Sequence, residues 1–352
     1  MERKVKGNMM RIMHILPQLE EGGVERHVLM LSGQQEEEGH KVYVVSAGGK
    51  LVSQLAKKVF HICFPVHIKN PLVAIYCAVR LALLVRKNKI DIIHAHSRVP
   101  AWIAMFTRKF TGTPYIITAH GYFSTQAKWI YIPYRKANTV ICVSKAVQNG
   151  MKNCFAGNTV VVRNGMPVVN KTWKGSGGSR VNFLFVGRLT RLKGLQDIIN
   201  VLSSIESNWE LNVIGDGPLR KELESMTESL KLKDKIIFHG FREDPDEWME
   251  RSDCLLFSSY IEGMPLTLAR AIQIGIPVIA SDIEPIREMA LGKNGLVKPG
   301  DLASWKSAIE MFFVTRKSPA DFDKNAIPTI LQMTREVQSV YEYAICPEVG
   351  SQ

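Results

Sequence analysis

Two cations stand close together in the middle of the chain, directly after a predicted strand. Arg188 follows the apolar run Val181–Val186 and the single residue Gly187, and Lys193 lies five positions further on. An arginine side chain offers a forked pair of N–H donors to phosphate oxygens, and a lysine adds a compact positive charge. This spacing at the end of a strand predicts a site for a diphosphate group.

An acidic loop before a helix forms a second candidate site. The apolar run Cys254–Phe257 predicts a buried parallel strand, residues 258–265 a polar loop, and Leu266–Ile274 a helix. Glu262 in this loop can accept hydrogen bonds from sugar hydroxyls. The first N–H groups of the helix can bind anionic or hydroxylated groups. These residues alone indicate a ligand loop in an α/β protein.

The first half of the chain contains two weaker signals. Gly22 and Gly23 separate a predicted strand at 11–16 from a predicted helix at 24–35, so the backbone there could approach a phosphate. His120 ends a predicted strand at 114–121, the edge at which open α/β sheets bind ligands. A plain loop and a hydrogen-bonded structural histidine are the alternatives that the residues leave open.

Two other patterns could suggest metal ions. His94 and His96 point to the same side of a predicted strand, but no third ligand lies near them in the sequence, so we expect no metal there. Asp244 and Asp246 precede a predicted helix at 247–251. We expect them to cap that helix and to stabilise its dipole rather than to bind a metal.

Length and composition indicate a cytoplasmic two-domain protein. The chain has 352 residues, 46% of them hydrophobic, and its six cysteines form no CxxC pair, which favours reduced thiols. The basic N-terminus lacks the apolar segment of a signal peptide. The longest apolar region, residues 71–85, is interrupted by Arg80 and is too short to span a bilayer.

The formal net charge of +12 is compatible with nucleic acid, an anionic membrane surface or phosphorylated substrates as partners. The basic residues are spread along the chain and no nucleic-acid-binding module is present, so we expect no nucleic acid partner. Residues 122–136 contain Trp129, Tyr131 and Tyr134 among cations. That segment suits a membrane interface or a sugar-stacking acceptor site, and a packed helix is the alternative.

Strands alternate with helices throughout, which predicts parallel sheets. Residues 174–179 (KGSGGS) are the most linker-like in the chain. We therefore expect an N-terminal domain at 1–170, a second domain at 171–326, and a C-terminal helix that crosses back to the first domain within 327–352. The helical pattern itself covers 327–343.

Several ordered motifs together resemble the family-4 glycosyltransferases, the retaining enzymes of GT-B fold. The resemblance covers about residues 11–343. The matching positions are Thr118, His120, Gly121, Gly187, Arg188, Lys193, Gly194, Gly215, Gly217, Pro218, Glu262, Gly263, Met264, Ala271, Gly275, Pro277 and Val278.

The resemblance implies an α/β fold of GT-B type, with two doubly wound parallel-sheet (Rossmann-like) domains facing each other across a cleft. The implied activity is retaining transfer of a sugar from a nucleotide-diphosphate sugar to a glycan or lipid-linked acceptor. The expected setting is envelope polysaccharide or lipopolysaccharide synthesis. No metal and no other cofactor are expected. A location on the inner face of the cytoplasmic membrane stays open.

The resemblance also assigns roles to residues. His120, Arg188, Lys193 and Glu262 would be catalytic: the two cations would neutralise the leaving diphosphate, and His120 and Glu262 would contact the transferred sugar. The expected donor-binding residues are Gly22, Gly23, Arg188, Lys193, Gly215, Phe241, Glu262, Gly263, Met264, Pro265, Leu266 and Arg270.

Arg270 departs from the family pattern, which has a glutamate there to hold the ribose of the donor. A guanidinium can only donate hydrogen bonds. Donor binding could be weakened, the ribose site rearranged, or a donor with extra negative charge preferred. A degenerate GT-B protein that binds a sugar or a partner without transfer is therefore an alternative, and a peripheral membrane scaffold is a third. The retained Arg188, Lys193 and Glu262 favour the enzyme.

Overall fold

The computed structural model describes residues 9–121, 128–152, 154, 157–292 and 294–346. The chain forms two compact units. The first contains the residues up to Pro167 together with those from Pro328 onward, and the second is Val168–Ile327. Within the described ranges, no helix combines the length and the apolarity needed to cross a bilayer.

The first unit alternates strands and helices, numbered here in chain order. Its strands are β1 (Arg11–Ile15), β2 (Lys41–Ser46), β3 (Phe60–Cys63), β4 (Ile92–His96), β5 (Tyr115–Ala119), β6 (Thr139–Cys142) and β7 (Thr159–Val161). Its helices are α1 (Gly23–Glu37), α2 (Pro71–Asn88), α3 (Arg98–Thr111), α4 (Ile132–Lys136), α5 (Lys145–Lys152) and α12 (Ile330–Ile345).

The seven strands form one parallel sheet in the order β3-β2-β1-β4-β5-β6-β7. The strand order reverses between β1 and β4, where His14 lies in register with His94. In open α/β sheets, ligands bind beyond the carboxyl ends of the strands at such a reversal. The most favourable place for a site in this unit is therefore the end of β1, β4 and the neighbouring β5.

The second unit repeats this architecture on a smaller scale. Its strands are β8 (Val181–Val186), β9 (Trp209–Ile214), β10 (Ile236–Gly240), β11 (Cys254–Phe257) and β12 (Val278–Ala280). Its helices are α6 (Leu195–Leu202), α7 (Arg220–Ser229), α8 (Pro245–Arg251), α9 (Leu266–Ile274), α10 (Glu284–Arg287) and α11 (Leu302–Thr315). The parallel sheet has the order β10-β9-β8-β11-β12, so its reversal lies between β8 and β11.

Each unit has its own apolar core. In the first, Val337 and Tyr341 of α12 pack in one buried cluster with Ile12 of β1 and Ile116 of β5. The C-terminal helix is therefore part of the first unit's core. It begins at Ile330 rather than 327 because Pro328 disfavours helical geometry before it and Thr329 forms a capping box with Gln332.

The structure corrects two expectations about local structure. In the segment 122–136, residues 122–127 lie outside the described residues, and the remainder is a short 3₁₀ turn followed by α4. Tyr131 and Tyr134 are buried, so Trp129 is the one exposed aromatic side chain among the described residues of this segment. Asp244 occupies the N-cap position of α8 without a side-chain capping bond. The expected capping role of Asp244 was wrong.

The glycine-rich residues 174–178 are bonded to the second unit. The backbone N–H groups of Lys174 and Gly175 donate to the carbonyl of Glu250, and Ser176 hydrogen-bonds the carboxylate of Asp253 through both its N–H and its hydroxyl. The change from one unit to the other falls earlier in the chain, between Pro167 and Val168.

Candidate active site

The loops that follow β8 and β11 meet at the strand-order reversal of the second unit. Lys193, from the first loop, donates a hydrogen bond from Nζ to Oε1 of Glu262, in the second loop, at 2.5 Å. The Lys193 side chain is 29% exposed and that of Glu262 11%. Two residues assigned to the site from sequence, 69 positions apart, are thus in direct contact where a ligand is expected.

Arg188 stands at the start of the same β8 loop and is exposed. No carboxylate of the described part of the chain lies within ion-pair distance of its guanidinium. An exposed guanidinium without a carboxylate partner can bind an incoming anion without first breaking an ion pair. The forked donors of Arg188 are therefore available to an anion.

Main-chain hydrogen bonds connect the loops beyond the strand ends. Gly187 N–H donates to the carbonyl of Ile214 at 3.0 Å, Leu189 to that of Asp216 at 2.9 Å, and Gly215 to that of Gly240 at 2.8 Å. Gly215 has φ +130°, and a Cβ there would collide with the carbonyl oxygen of Gly187. The sequence-predicted Gly215 is thus required by the backbone. Phe241, directly after β10, lies at the same edge of the sheet.

The two ligand loops are also tied to each other. Tyr260 N–H donates to the carbonyl of Leu192 at 2.8 Å, and its hydroxyl donates to Asp197 at 2.6 Å. The hydrogen bond to Asp197, with burial and the carboxylate's charge, raises the pKa of Tyr260 to about 12. These bonds hold the loops of Lys193 and Glu262 together.

The loop ends at the start of α9, where Pro265 occupies the N-cap position without a side-chain capping bond. Met264 and Pro265 are buried, and Gly263 and Leu266 are partly exposed. The first N–H groups of a helix have no partner within the helix and carry part of its positive dipole. The loop residues predicted to bind the donor therefore lead into an N-terminus suited to an anionic or hydroxylated group.

Arg270 lies one turn into α9 and is held by α8. Its Nε is 3.3 Å from Oδ1 of Asp246, and its Nη1 donates to Oε1 of Gln273 at 3.0 Å. The arginine that replaces the family's second glutamate thus has a carboxylate of its own. Asp246, expected to favour the helix dipole of α8, is the partner that no sequence signal indicated.

In the first unit, α1 begins at Gly23, and Gly22 is its N-cap in an extended conformation. A Cβ on Gly22 would meet only the flexible carboxylate of Glu25, so the backbone conformation does not require glycine there. His27, one turn further along α1, packs its ring edge-on against His120 with 4.8 Å between ring centroids. The start of α1 and the end of β5 are therefore adjacent.

His120 belongs to a cluster of imidazoles. The five rings, from β1, α1, β4 and the end of β5, have neighbouring centroids 4.2–5.6 Å apart; they are His14, His27, His94, His96 and His120. Burial lowers the pKa of His14 and of His27 to about 4 and the pKa of the other three well below the usual 6.5. All five are therefore neutral at pH 7.

The cluster corrects the expectation that His94 and His96 lack a third potential ligand. Two groups of three imidazoles have ligand atoms within 4.8 Å of one another: His14, His94 and His96, and His27, His96 and His120. Neutral imidazole is the ligand form. In the first group, His14 and His94 use both ring nitrogens in hydrogen bonds. The second group is the better candidate for an ion, and the expectation of no metal stays a prediction.

Two parallel, Rossmann-like sheets with ligand loops at their strand-order reversals are the architecture of the glycosyltransferases of GT-B fold. The family model described as "Glycosyltransferase Family 4" matches residues 21–168, and the model "Glycosyl transferases group 1" matches residues 174–328. The chain belongs to glycosyltransferase family 4.

Relatives with described activities act in the bacterial envelope. A stretch of 162 residues is 31% identical to lipopolysaccharide 1,6-galactosyltransferase of Escherichia coli K12, covering 42% of this chain and 45% of that protein. A stretch of 251 residues is 28% identical to an E. coli UDP-Gal:α-D-GlcNAc-diphosphoundecaprenol α-1,3-galactosyltransferase. It covers 62% of this chain and 63% of that protein. The match thus spans less than two thirds of either relative.

Among solved structures, Anabaena HepE in complex with UDP and glucose is similar over 95% of this chain and 99% of its own, with a TM-score of 0.80 and 16% identity. At this identity the similarity concerns the fold.

Proposed function

We propose that this protein is a retaining glycosyltransferase that moves a sugar from a nucleotide-diphosphate sugar to a hydroxyl of a glycan or lipid-linked acceptor. The observation that carries the proposal is the contact between Lys193 and Glu262 at the ends of β8 and β11. The loop of Lys193 also carries Arg188, which is exposed and has no carboxylate partner among the described residues. This arrangement combines charge for a diphosphate with a carboxylate for sugar hydroxyls in one place.

Each side chain has a distinct part in the reaction. Arg188 and Lys193 stabilise the negative charge that develops on the departing diphosphate, which is the dominant electrostatic contribution in such sites. Glu262 accepts hydrogen bonds from the sugar and positions it. His120 of the first unit is assigned a contact with a sugar by its resemblance to the family position.

The reaction proposed is a front-face displacement. The acceptor hydroxyl oxygen bonds to the anomeric carbon on the side from which the diphosphate leaves. The bond between that carbon and the diphosphate oxygen breaks, and the hydroxyl proton passes to the diphosphate. Configuration at the anomeric carbon is retained. No metal is used, because Arg188 and Lys193 provide the charge that an ion would otherwise provide.

A UDP-sugar is the proposed donor, and envelope polysaccharide or lipopolysaccharide assembly the proposed setting. Two similar proteins support the donor, since one is named for its use of UDP-Gal and the other was solved with UDP and glucose. The galactosyltransferase of lipopolysaccharide supports the setting.

The second candidate function, sugar or partner binding without transfer, is favoured by one observation. Arg270 is engaged with Asp246, so the position that holds ribose in the family presents an ion pair instead. We give this candidate second place because Arg188, Lys193 and Glu262 are all present in a suitable arrangement.

A peripheral location at the inner face of the cytoplasmic membrane is part of the proposal, and the support for it comes from α2. Exposed apolar side chains recur on one face of this helix, at Leu72, Ile75, Tyr76, Val79 and Leu83. The exposed cations Arg80, Arg86 and Lys87 lie on the same helix. An apolar face with adjacent basic residues suits the surface of an anionic bilayer.

Calorimetry with UDP, GDP, ADP and CDP tests the donor site, using wild type, Arg188→Ala and the matched control Arg191→Ala. Arg191 lies in the same loop but is paired with Glu222 at the surface. We expect UDP to bind wild type and Arg191→Ala with the same affinity. It should bind Arg188→Ala about 10- to 100-fold more weakly, because the loss of a charge-assisted hydrogen bond costs roughly 1.5–3 kcal/mol. Binding of no nucleotide, or equal binding by all three proteins, would contradict the proposal.

Transfer itself is tested with UDP-glucose and UDP-galactose and isolated envelope glycolipids as acceptors, in the presence of EDTA. Turnover with retention of configuration in EDTA is the expected result. Nucleotide binding without turnover for any acceptor would favour the binding protein.

A further inference from the structure

A chain of hydrogen-bonded side chains leads from His120 into the first unit. His120 Nε2 lies 3.1 Å from His96 Nδ1, His96 Nε2 lies 3.0 Å from His14 Nδ1, and His14 Nε2 lies 2.7 Å from Gln35 Oε1. His14, His96 and Gln35 are almost completely inaccessible to water, whereas His120 keeps part of its surface exposed. Hydrogen bonds shielded in this way are strong and costly to leave unmade.

The amide of Gln35 gives this chain a direction. An amide oxygen can only accept, so the proton of neutral His14 is on Nε2 and its Nδ1 carries a lone pair. His96 must then donate from Nε2 to His14, which leaves the lone pair of His96 on Nδ1. His120 in turn must donate from Nε2 to His96. One acceptor at Gln35 thus fixes the tautomers of three rings.

The other end of the same amide continues the chain to the C-terminal helix. Gln35 Nε2 donates to the Tyr341 hydroxyl at 3.1 Å, and that hydroxyl lies 2.7 Å from His94 Nδ1. His94 Nε2 lies 2.6 Å from Oγ1 of Thr118. In this amide orientation Tyr341 donates to Nδ1 of His94, and His94 donates from Nε2 to Thr118. Tyr341 and Thr118 are buried, and the Gln35 amide is bonded through both its oxygen and its nitrogen, so its orientation sets the direction of the whole chain.

We propose that this chain holds His120 as the Nε2–H tautomer, so that its Nδ1 is a hydrogen-bond acceptor for a hydroxyl of the bound sugar. Gln35, His14 and His96 are then positioning residues, which act on the ligand only through His120. The tautomer rests on the orientation of the Gln35 amide, which is a feature of the first unit. The ligand class, a sugar with a free hydroxyl at that place, rests on the proposed function.

An acceptor at this position selects between ligands. A hydroxyl can donate to Nδ1, whereas an O-methyl or deoxy analogue leaves the lone pair unpaired. A site built around a hydrogen bond discriminates strongly against analogues that cannot make it. The neutral ring also offers no positive charge to an anionic sugar, which favours a neutral hexose over a uronic acid at this position.

Two other arrangements make opposite predictions. If the Gln35 amide were rotated by 180°, every donor in the chain would become an acceptor, and His120 would carry its proton on Nδ1. If a metal ion occupied the group of His27, His96 and His120, the hydrogen bond between His96 and His120 would be replaced by coordination, and a chelator would change the rings.

The test is nitrogen-15 NMR of histidine-labelled, ligand-free protein after dialysis against EDTA, in which one-bond and two-bond couplings identify the protonated ring nitrogen. The His120 signals are assigned with His120→Gln. We expect a protonated Nε2 and an unprotonated Nδ1 for His120, and no change when EDTA is omitted or Zn²⁺ is added in equal amount. A protonated Nδ1, a charged ring, or a spectrum that changes with Zn²⁺ would overturn the proposal.

Two variants on α1 separate the chain from general packing. Gln35→Met removes the anchoring acceptor, so we expect loss of the single tautomer at His120. Ser32→Ala removes a buried hydroxyl of the same helix that bonds only within it, to the carbonyl of Leu29, and should leave His120 unchanged. An unchanged His120 in folded Gln35→Met would also overturn the proposal. If Gln35→Met fails to fold, the wild-type spectrum still decides. Because none of these measurements uses a nucleotide sugar, their failure and the failure of transfer are distinguishable.

Discussion

Glu262 accepts a hydrogen bond from Lys193 across a distance of 2.5 Å, so the carboxylate proposed to bind the sugar and the ammonium proposed to bind the diphosphate neutralise each other in the free protein. A nucleotide-diphosphate sugar must therefore bind both partners of an existing ion pair. The ion pair keeps the two side chains in position. Its charges become available to the ligand when a phosphate takes the place of Glu262 beside Lys193 and sugar hydroxyls take the place of Lys193 beside Glu262.

Replacing Glu262 should separate binding of the nucleotide from binding of the sugar. In Glu262→Gln the lysine is freed, so we expect UDP alone to bind as well as or more tightly than it binds wild type. Transfer should fall roughly 10- to 100-fold, the loss of a charge-assisted hydrogen bond to the sugar. Calorimetry with UDP and initial rates of transfer measure the two effects. Glu222→Gln, which removes an exposed ion pair with Arg191, is the matched control and should change neither.

Reversing the charge at Arg270 should destabilise the second unit. Arg270→Glu would place a carboxylate next to Asp246, and both side chains are mostly buried, at 13% and 28% exposure. We expect a loss of about 1–3 kcal/mol in the free energy of unfolding, between the values typical of exposed and of buried pairs. Urea unfolding measures it.

The double variant Asp246→Asn with Arg270→Glu removes that repulsion and isolates the ribose contact. We expect it to regain most of the lost stability and to bind UDP more tightly than wild type, because a glutamate can accept from both ribose hydroxyls. Weaker UDP binding by the stable double variant would mean that Arg270 itself contacts the donor.

The histidine cluster should make the first unit sensitive to acid. His14 and His27 have pKa values near 4 when folded and near 6.5 when unfolded. The unfolded chain therefore binds more protons between these values, and the free energy of unfolding decreases as the pH falls from about 6.5 to about 4. Each such proton contributes about 1.4 kcal/mol per pH unit.

Urea unfolding at several pH values, read from the first unit's own signals, gives the number of protons taken up. We expect unfolding near pH 5 to take up more than about two protons in wild type, and about one proton fewer in His27→Gln. His67→Gln, which changes an exposed histidine, should leave the slope as in wild type. A stability that is independent of pH in this range would show that the buried rings are protonated or accessible in the folded state.

The apolar face of α2 should bind anionic vesicles. We expect wild type to sediment with vesicles containing phosphatidylglycerol, less so at high salt, and Leu72→Ser combined with Val79→Ser and Leu83→Ser to bind at least about 10-fold more weakly. The control is Val314→Ser, because Val314 is equally exposed but lies on α11 of the second unit. Binding that is lost equally in both variants, or absent in wild type, would argue against a membrane role for α2.

The elements that the sequence predicts best are strands made of one short continuous apolar run and helices with a clear breaking residue at each end. The expected bounds Val181–Val186, Cys254–Phe257 and Leu266–Ile274 agree with β8, β11 and α9. In each case hydrophobic continuity and flanking glycine, proline or polar residues are local signals. Lys193 and Glu262 are each assigned to the site from sequence, but their contact depends on the pairing of β11 with β8, which no local signal indicates.

The missed features depend on residues that are distant in sequence. The histidine cluster forms because β1 pairs with β4, which places His14 beside His94 and brings α1 and its His27 over the same edge. The only local signal was the pair His94 and His96 on one strand face. The partner of Arg270 depends on α8 packing against α9, and no periodicity in either helix indicates it.

The loop after β8 is restrained by main-chain hydrogen bonds of Gly187, Leu189 and Gly215 to neighbouring strand and loop ends. These bonds affect the conformational entropy that is lost when a ligand binds. Peptide groups bonded on both sides of a loop exchange their hydrogens slowly, and the loop cannot sample many conformations. Little conformational entropy is then lost when a phosphate arrives. The main chain of the loop after β8 is therefore ordered before a ligand binds. If Arg188 and Lys193 bind the diphosphate as proposed, the affinity depends on their side chains and not on ordering of the loop.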